Sequence, residues 1–318
     1  MEDTNLYTIM SKLTFREVAQ RWCAEKRNYV KRSTFAAYAL IINNHLLPNF
    51  GECDTLSEEA VQSFVLDKLA AGLSQKTVKD MLIVLKMIAK YGYKHSSFPF
   101  TEWEVRFPTE QKQEKLSVLA VADQRKLMKY LAENFTFRNL GILICLNTGM
   151  RIGEICGLQW NDIDISQGTL TVRRTVERIY VNEGDTKKTE LIISTPKTQN
   201  SAREIPLTKE LVRILKPLKT IVKGEYYVLS NNKAPTEPRT YRSYHKRLLE
   251  SLAVPPIKFH GLRHSFATRC IESKCDYKTV STILGHSNIS TTLNLYVHPN
   301  MTQKKHCVDK MIKSLGKL

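Results

Sequence analysis

The chain has 318 residues, 42% of them hydrophobic and 25% charged, which is the composition of an ordinary globular protein with one large domain or two smaller ones. This composition excludes a disordered chain, collagen and a low-complexity fibre, and no apolar run reaches the roughly 18 residues that a membrane-spanning helix needs. The net charge of +17 predicts a polyanionic partner. Nucleic acid is favoured over an anionic membrane surface, because the sequence contains no basic amphipathic helix with an aromatic face.

The first residues and the cysteines indicate a reducing compartment. Met1–Thr4 lacks the basic and apolar regions that begin a signal peptide. The seven cysteines are odd in number and form no CxxC pair, which argues against a disulfide framework and against a zinc ribbon. We therefore expect a cytoplasmic protein, associated with the nucleoid if its partner is DNA, and no membrane partner.

Four helices are predicted in the first hundred residues. Hydrophobic residues recur at three-to-four spacing, and good N-capping residues stand at Ser57 and Ser74. Pro48 and Gly51 are expected to end the second helix. The predicted helices span about 14–29, 33–47, 57–72 and 74–92.

The polar run over 108–115 suggests a boundary between two domains. The predicted organisation is a short tail at 1–12, a helical domain at 13–104, a linker at 105–117 and a second domain at 118–318. A surface loop inside a single domain is the alternative. Up to residue 104 the chain has 13 basic and 12 acidic side chains, whereas the remainder has 35 and 19. The polyanion should therefore lie mainly against the second part.

The second part combines helices with short strands. Periodicity predicts helices at about 122–133 and 136–147, a new helix after Gly149, and a mostly helical chain from Thr208 onward. Alternating residues and turn-forming sequences predict strands that should form a small antiparallel sheet. These strands cover 169–172, 176–181, 191–195 and 204–207.

Arg151 is the first candidate functional residue. It follows Thr148-Gly149, where an apolar helix is predicted to end, and it lies in the first turn of the next helix. A cation there opposes the helix dipole, so its position suggests an anionic ligand that the guanidinium and the helix amides could share. Glu154, one turn on, could orient the guanidinium. An ordinary Arg–Glu surface pair is the alternative.

A second candidate lies at the start of a later helix. His260 and Arg263 are three residues apart and therefore share a face, from which they could hold one phosphate. A solvated surface position is the alternative for this short motif. His264 is expected to point elsewhere, as a packing or capping residue.

The third stretch contains a candidate nucleophile. A helix is predicted to end at Gly285, His286 follows on the turn, and Tyr296 comes ten residues later. A tyrosine hydroxyl has a pKa near 10 and needs neighbouring cations or a base to act as a nucleophile. A buried ring with a hydrogen-bonded hydroxyl is the alternative.

Lys197 is the fourth and weakest candidate. It follows a predicted strand, where a hairpin can present a lysine to a cleft. Most hairpin lysines are simply solvated, and Lys187 and Lys188 compete with it for any role.

Taken in order, these residues resemble the pattern of the tyrosine recombinases, the phage integrase family. The motifs are 148–154 (TGMRIGE), 260–268 (HGLRHSFAT), and the segment that runs from 284–286 (LGH) to 296–298 (YVH). The resemblance covers nearly the whole chain. It implies a mainly α fold with a small antiparallel β-sheet: a helical, SAM-like core-binding domain and an α+β catalytic domain, which together clamp DNA.

The resemblance also implies a reaction. Tyr296 would attack a DNA phosphodiester and form a 3′-phosphotyrosyl link, so that rejoining needs no ATP. Arg151, Arg263 and His286 would donate hydrogen bonds to the nonbridging oxygens as negative charge develops there. DNA would thereby be integrated, excised or inverted through a Holliday junction.

Proton transfers are implied as well. His260 would take the tyrosine proton, Lys197 would protonate the leaving 5′-oxygen, and Glu154 would orient Arg151. No metal and no cofactor is expected, because the cationic side chains do what a metal ion does in other nucleases.

The expected partner is double-stranded DNA with inverted-repeat core sites, bound by a homotetramer that holds two duplexes. The family often exchanges a C-terminal segment between protomers. Val308, Met311, Ile312 and Leu315 have the spacing of an amphipathic helix that could dock in this way. Packing of that helix within its own chain is the alternative.

Candidate DNA contacts are less specific, because a phosphate contact or a plain solvated surface explains each of them better than the reading of a base does. The first part offers Lys31, Arg32, Gln75, Lys76, Thr77 and Lys79, and the second offers Arg239, Tyr241, Arg242 and Lys246.

Two departures from the family pattern are visible. Only about a dozen residues precede the first helix, which disfavours an arm-binding domain and suits a simpler recombinase. Gly261 stands where family members often have Asp, and little consequence is expected. A type IB topoisomerase with the same chemistry, and a non-catalytic DNA-binding regulator on the same fold, are the alternative functions.

Overall fold

The computed structural model describes residues 13–109, 117–183, 186–195, 202–296 and 301–316. They form two compact units: the described residues of Met1–Gln113 with Ile179–Glu190, and those of Glu114–Arg178 with Leu191–Leu318. Most of the chain is helical, with short strands between residues 163 and 206, as the predicted fold class requires.

In the first unit the helices are α1 (Phe15–Lys26), α2 (Arg32–Ile41), α3 (Leu47–Phe50), α4 (Glu58–Ala70) and α5 (Gln75–Lys94). In the second unit they are α6 (Val121–Glu133), α7 (Phe137–Thr148), α8 (Ile152–Cys156), α9 (Lys209–Lys219), α10 (Pro238–Ser251), α11 (His260–Glu272), α12 (Tyr277–Leu284), α13 (Ile289–Tyr296) and α14 (Met301–Ser314). The strands are β1 (Ile163–Asp164), β2 (Thr169–Val172), β3 (Thr175–Glu183), β4 (Thr186–Ser194) and β5 (Arg203–Pro206).

Helix caps and one apolar core build the first unit. The predicted caps are confirmed: the Ser57 hydroxyl accepts from the Ala60 amide and the Ser74 hydroxyl accepts from the Thr77 amide. Apolar faces of the helices meet in a core that includes Phe15, Trp22, Leu46, Phe64, Val78, Leu85 and Ile88.

Pro48 does not end the second helix, so that prediction is wrong. After α2 the chain continues through a π-helical turn, Ile42–Leu46, into α3, where Pro48 lies in the first turn. A wider turn before a proline accommodates the missing backbone donor.

The start of the predicted linker belongs to the first unit. Val105 and Phe107 pack against its core, and the backbone of Arg106 exchanges hydrogen bonds with the Gln62 side chain at 2.8 and 3.1 Å. Residues 110–116 of the predicted linker, and the predicted tail at 1–12, lie outside the described residues.

The second unit is organised around α7. Nearly every side chain of this helix is buried, and α6 and α11 pack against it. Strands β1, β2 and β5 form an antiparallel sheet in which Leu170 pairs with Ile205, both of them core residues. β3 and β4 form a separate two-stranded sheet, of which Ile179–Glu190 is counted with the first unit. The predicted strands therefore make two sheets rather than one.

Two helices end in a left-handed glycine. Gly149 after α7 and Gly285 after α12 both have φ of +66°, a conformation that other residues rarely adopt. A Cβ atom at Gly149 would also lie 2.6 Å from the Phe266 ring. The two caps end these helices abruptly and leave their last carbonyl groups available as acceptors.

The exposed side of the C-terminal helix is apolar in part. In α14 and just beyond it Val308, Met311, Ile312 and Leu315 are all exposed. None of the helices in the described ranges combines the length and the apolarity that crossing a bilayer requires.

Candidate active site

The two helix caps hold the two candidate guanidinium groups in the second unit. Arg263 donates from Nη1 to the Gly149 carbonyl at 2.8 Å and from Nη2 to the Leu284 carbonyl at 2.7 Å. Arg151 donates from Nη2 to the Gly285 carbonyl at 3.1 Å. The Thr-Gly and Leu-Gly-His motifs therefore supply the acceptors that orient both arginines.

Glu154 holds Arg151 from the other side, as predicted for an orienting carboxylate. Its Oε1 accepts from Arg151 Nη1 at 2.8 Å, and its Oε2 accepts from the Arg151 backbone amide at 2.9 Å. Arg151 itself precedes α8, so the carboxylate caps this five-residue helix.

Arg203 was missed by the sequence analysis as a member of this cluster. Its Nη1 and Nη2 donate to the two oxygens of Glu154 at 3.0 and 2.9 Å, and its Nε donates to the Ile283 carbonyl at 2.6 Å. Arg203 and Ile205 both face inward from β5, so strand alternation would have placed this arginine in the interior, where it needs a carboxylate.

Burial and charge compete at Glu154. Burial opposes its ionisation, but the hydrogen bonds and charges of Arg203 and Arg151 outweigh burial and hold its pKa below the ordinary value. One carboxylate thus faces three guanidinium groups, and burial together with the nearby Arg151 lowers the pKa of Arg263 to about 9. Because like charges repel in this buried cluster, an anion bound between them would be stabilising.

Tyr296 lies at the end of α13 with 8% of its surface exposed. Its hydroxyl oxygen is 2.7 Å from Nδ1 of His264. Burial raises the pKa of Tyr296, while the positive charges of Arg263 and Arg151 act against this rise. The prediction that His264 points away from the site is wrong: α11 directs this ring at the phenol.

The other two histidines stand close by. The His260 ring lies edge-on to the His264 ring, with centroids 4.5 Å apart. Nδ1 of His286 is 2.8 Å from the Thr292 hydroxyl, one turn before Tyr296 on the same face of α13. Burial and neighbouring cationic groups lower the pKa of both His260 and His286 to about 4, so both rings are neutral at pH 7.

Of the predicted site residues, the structure therefore brings together Arg151, Glu154, His260, Arg263, His286 and Tyr296 in one cluster. Lys197 lies outside the described residues. In the described ranges, no group of His, Cys, Asp and Glu is arranged to hold a metal ion.

The candidate DNA contacts in the first unit are mostly at its surface. Lys31, Lys76 and Thr77 are exposed. Arg32 pairs with Glu190 at 2.6 Å, Lys79 lies 4.9 Å above the Phe107 ring, and Gln75 Nε2 donates to the Pro108 carbonyl at 2.5 Å.

In the second unit one candidate DNA contact is wrong. Arg239, Arg242 and Lys246 are exposed on α10. Tyr241 on the same helix is fully buried, and its hydroxyl donates to the Arg138 carbonyl at 2.7 Å. It is a core residue and cannot reach DNA.

Two stretches of the chain match known protein families. Residues 117–303 match the phage integrase family, and residues 14–64 match the phage integrase N-terminal SAM-like domain. A tyrosine recombinase XerC-like protein of Caldanaerobacter subterraneus subsp. tengcongensis is 28% identical over 308 residues, which cover 90% of this chain and 75% of that protein.

Two solved structures have the same fold. The integrase of transposon Tn1549, in complex with transposon right end DNA, superposes with a TM-score of 0.77 at 22% identity, covering 94% of this chain and 100% of that one. A lambda integrase tetramer bound to a Holliday junction gives a TM-score of 0.63 at 18% identity, covering 92% of this chain and 81% of that one.

Proposed function

Because this chain belongs to the phage integrase family and is a tyrosine-type site-specific recombinase, we propose that Tyr296 is the nucleophile that cleaves and rejoins its DNA. The observation that carries this assignment is the position of the Tyr296 hydroxyl. It stands at the end of a short helix, hydrogen-bonded to an imidazole and within the field of two guanidinium groups. Topoisomerase-like relaxation and a regulatory role without catalysis are not favoured, since the related proteins are recombinases and integrases.

The proposed reaction exchanges one phosphoester for another. The Tyr296 oxygen gives its proton to a neighbouring imidazole and forms a bond to phosphorus, and the bond between phosphorus and the 5′-oxygen breaks. The products are a 3′-phosphotyrosyl link and a 5′-hydroxyl, which takes up one proton from Lys197. In rejoining, a 5′-hydroxyl attacks the same phosphorus and releases the tyrosine, so no external energy is consumed.

Transition-state stabilisation is assigned to Arg151, Arg263, His260 and His286. The nonbridging oxygens gain negative charge as phosphorus becomes pentacoordinate, and fixed guanidinium donors stabilise that charge without reorganising. Both imidazoles are neutral near pH 7, so each can donate one N–H to an oxygen. Binding of the phosphate also relieves the repulsion between Arg151 and Arg263.

Covalent capture tests the assignment. A library of nicked duplexes with a randomised core is incubated with the full chain, and DNA that stays attached after denaturation is sequenced. The nick lets the short cleaved fragment diffuse away, so the phosphotyrosyl complex accumulates. We expect wild type to capture an enriched core sequence and Tyr296→Phe to bind the same DNA without capturing it. Equal capture by Tyr296→Phe would contradict the assignment, as would no capture by wild type.

The assembly is proposed to be a homotetramer that holds two duplexes at inverted-repeat core sites, in the cytoplasm and associated with the nucleoid. The exposed apolar residues of α14, Val308, Met311 and Ile312 among them, support exchange of this helix between protomers. Sizing of the protein on the captured DNA tests the tetramer. Deletion of residues 301–318 should leave single-site binding intact but reduce assembly of two duplexes.

A further inference from the structure

We infer that His264 is a catalytic residue that accepts the phenolic proton when Tyr296 attacks the DNA phosphate. This inference rests on the proposed function of Tyr296 and assigns to His264 the role that the sequence motif suggests for His260. It follows from the hydrogen bond between the two side chains and from the place of His264 on α11.

The geometry fits direct proton transfer. Nδ1 of His264 lies 2.7 Å from the Tyr296 oxygen, and the two ring centroids are 5.7 Å apart at an interplanar angle of 54°. Within the part of the chain that the structure describes, this is the hydrogen bond that the phenol makes. A general base must stand within about 2.6–3.2 Å of the atom whose proton it takes.

Helix α11 explains why one segment can serve both the phosphate and the nucleophile. Neighbouring residues on a helix point about 100° apart, so Arg263 faces the Gly149 and Leu284 carbonyls while His264 faces α13. His260 lies one turn before His264 on the same ridge, and its ring contacts the His264 ring edge-on. His260 therefore orients His264 and remains available to the phosphate.

The protonation states suit this role. Burial, and then the charge of Arg263, lower the pKa of His264, so its ring is neutral near pH 7 and can accept a proton. Among the residues that the structure describes, the charged and titratable groups that face the pair are Arg263, which acts on both side chains, Arg151, which acts on Tyr296, and His260, which contacts His264. With Nδ1 as acceptor, the resting proton of His264 is on Nε2.

The step balances without a further reactant. As the Tyr296 oxygen bonds to phosphorus, its proton moves to Nδ1 of His264, which becomes an imidazolium. The electron pair of the breaking bond goes to the 5′-oxygen, which takes a proton from Lys197. In rejoining, the imidazolium returns its proton to the departing phenolate.

Single-turnover cleavage of the captured duplex tests the inference with two variants. His264→Ala removes the acceptor, and His264→Asn keeps a hydrogen-bond acceptor near the Nδ1 position but cannot take a proton. We expect both to cleave about 10²–10⁴-fold more slowly than wild type at pH 7, which is the usual contribution of a general base. The cleavage rates of both variants should keep rising with pH up to pH 9, because without a base the phenol must ionise by itself. The wild-type rate should have levelled off by then, because His264 is already neutral. His95→Ala, an exposed histidine of the first unit, is the matched control and should cleave like wild type.

A modified substrate distinguishes deprotonation of the nucleophile from protonation of the leaving group. When sulfur replaces the bridging 5′-oxygen, a thiolate leaves without needing a proton. This DNA should restore cleavage by Lys197→Ala but not by either His264 variant. The inference is overturned if His264→Asn cleaves at the wild-type rate, if His264→Ala is as fast as wild type, or if the sulfur substrate restores them.

Separate control measurements address the folding of each variant and the proposed function of Tyr296. Thermal melting and DNA binding are measured for each variant, and His264→Asn decides the question if His264→Ala does not fold. Failure of the proposed function would appear as equal covalent capture by wild type and Tyr296→Phe. Failure of the His264 inference would leave that difference intact.

Discussion

The two units bury different kinds of side chain. Among the described residues, every buried polar or charged side chain belongs to the second unit, while the buried side chains of the first unit are apolar. The first unit is therefore built like an ordinary small helical domain. The second places Glu154, Arg203 and Arg263 in its interior, where charges are costly unless they are paired. Because these buried charges lower stability unless they are paired, their presence indicates that the second unit contains the functional site.

Removing Arg263 should have the largest effect on activity. Each donor lost from a site of this kind costs about 10²–10³ in rate, and Arg263 also orients the loop at Gly149. We expect Arg263→Ala to slow cleavage at least about 10³-fold and to weaken DNA binding less than tenfold, because the other basic side chains of this chain would still attract the DNA phosphates. Gel shift and single-turnover cleavage on the captured duplex measure the two effects.

The matched control for Arg263→Ala is Arg16→Ala in the first unit, which removes an exposed cation and should leave cleavage unchanged. If Arg263→Ala lost binding and cleavage to the same degree, the residue would serve affinity rather than the chemical step.

One ion pair in each unit allows the stabilities of the two units to be compared. Arg203 and Glu154 are 2.9 Å apart with 5% of each side chain exposed, whereas Arg16 and Glu52 are 2.7 Å apart with 44% and 81% exposed. Removing Arg203 takes two charged hydrogen bonds from the buried Glu154 carboxylate and leaves Arg151 as its remaining cationic partner, so Arg203→Ala should cost about 3 kcal/mol. Arg16→Ala should cost less than about 1 kcal/mol, because water and salt screen an exposed pair.

Urea unfolding of the full chain, followed for each unit by hydrogen exchange, measures both costs. Arg203→Ala should also slow cleavage, because Glu154 would no longer be held where it orients Arg151. If Arg203→Ala and Arg16→Ala lowered the free energy of unfolding equally, the view that the second unit depends on its buried charge pairs would be contradicted.

The same difference explains what could be predicted from sequence. Helices of the first unit follow from local periodicity and from caps such as Ser57 and Ser74, whose partners are three residues away. The convergence of Arg151, Arg263, His286 and Tyr296 was predicted through the family motifs rather than from spacing. No local pattern could have supplied it, since these residues meet only through tertiary packing.

The errors have the same origin. His264 contacts a residue of another helix, and Tyr241 fills the core from a helix whose polar sequence suggested a surface. The separation of the strands into two sheets depends equally on distant partners. A local sequence pattern predicts on which face of a helix or strand a side chain lies. The role of that side chain depends on which other element packs against that face, and a local pattern does not contain this information.

Glycines in the two units provide the smallest test. A Cβ atom at Gly261 in α11 would lie 2.8 Å from the Ser117 carbonyl oxygen, and one at Gly92 in α5 would lie 2.6 Å from Cβ of Phe98. Alanine favours both helices by about 1 kcal/mol, but overpacking costs about 1–3 kcal/mol, so each substitution should destabilise slightly. Gly261→Ala should also slow cleavage several-fold, because α11 carries His260, Arg263 and His264.

Gly92→Ala should lower stability without changing the cleavage rate of the folded protein, since its neighbours belong to the core of the first unit. Melting temperature and single-turnover cleavage are compared for the two variants. The close approach of the Ser117 carbonyl explains why a glycine suits position 261 in this chain. From the sequence, little consequence was expected of Gly261. If Gly261→Ala and Gly92→Ala both left cleavage unchanged, the placement of α11 would be more tolerant than the distances within the site suggest.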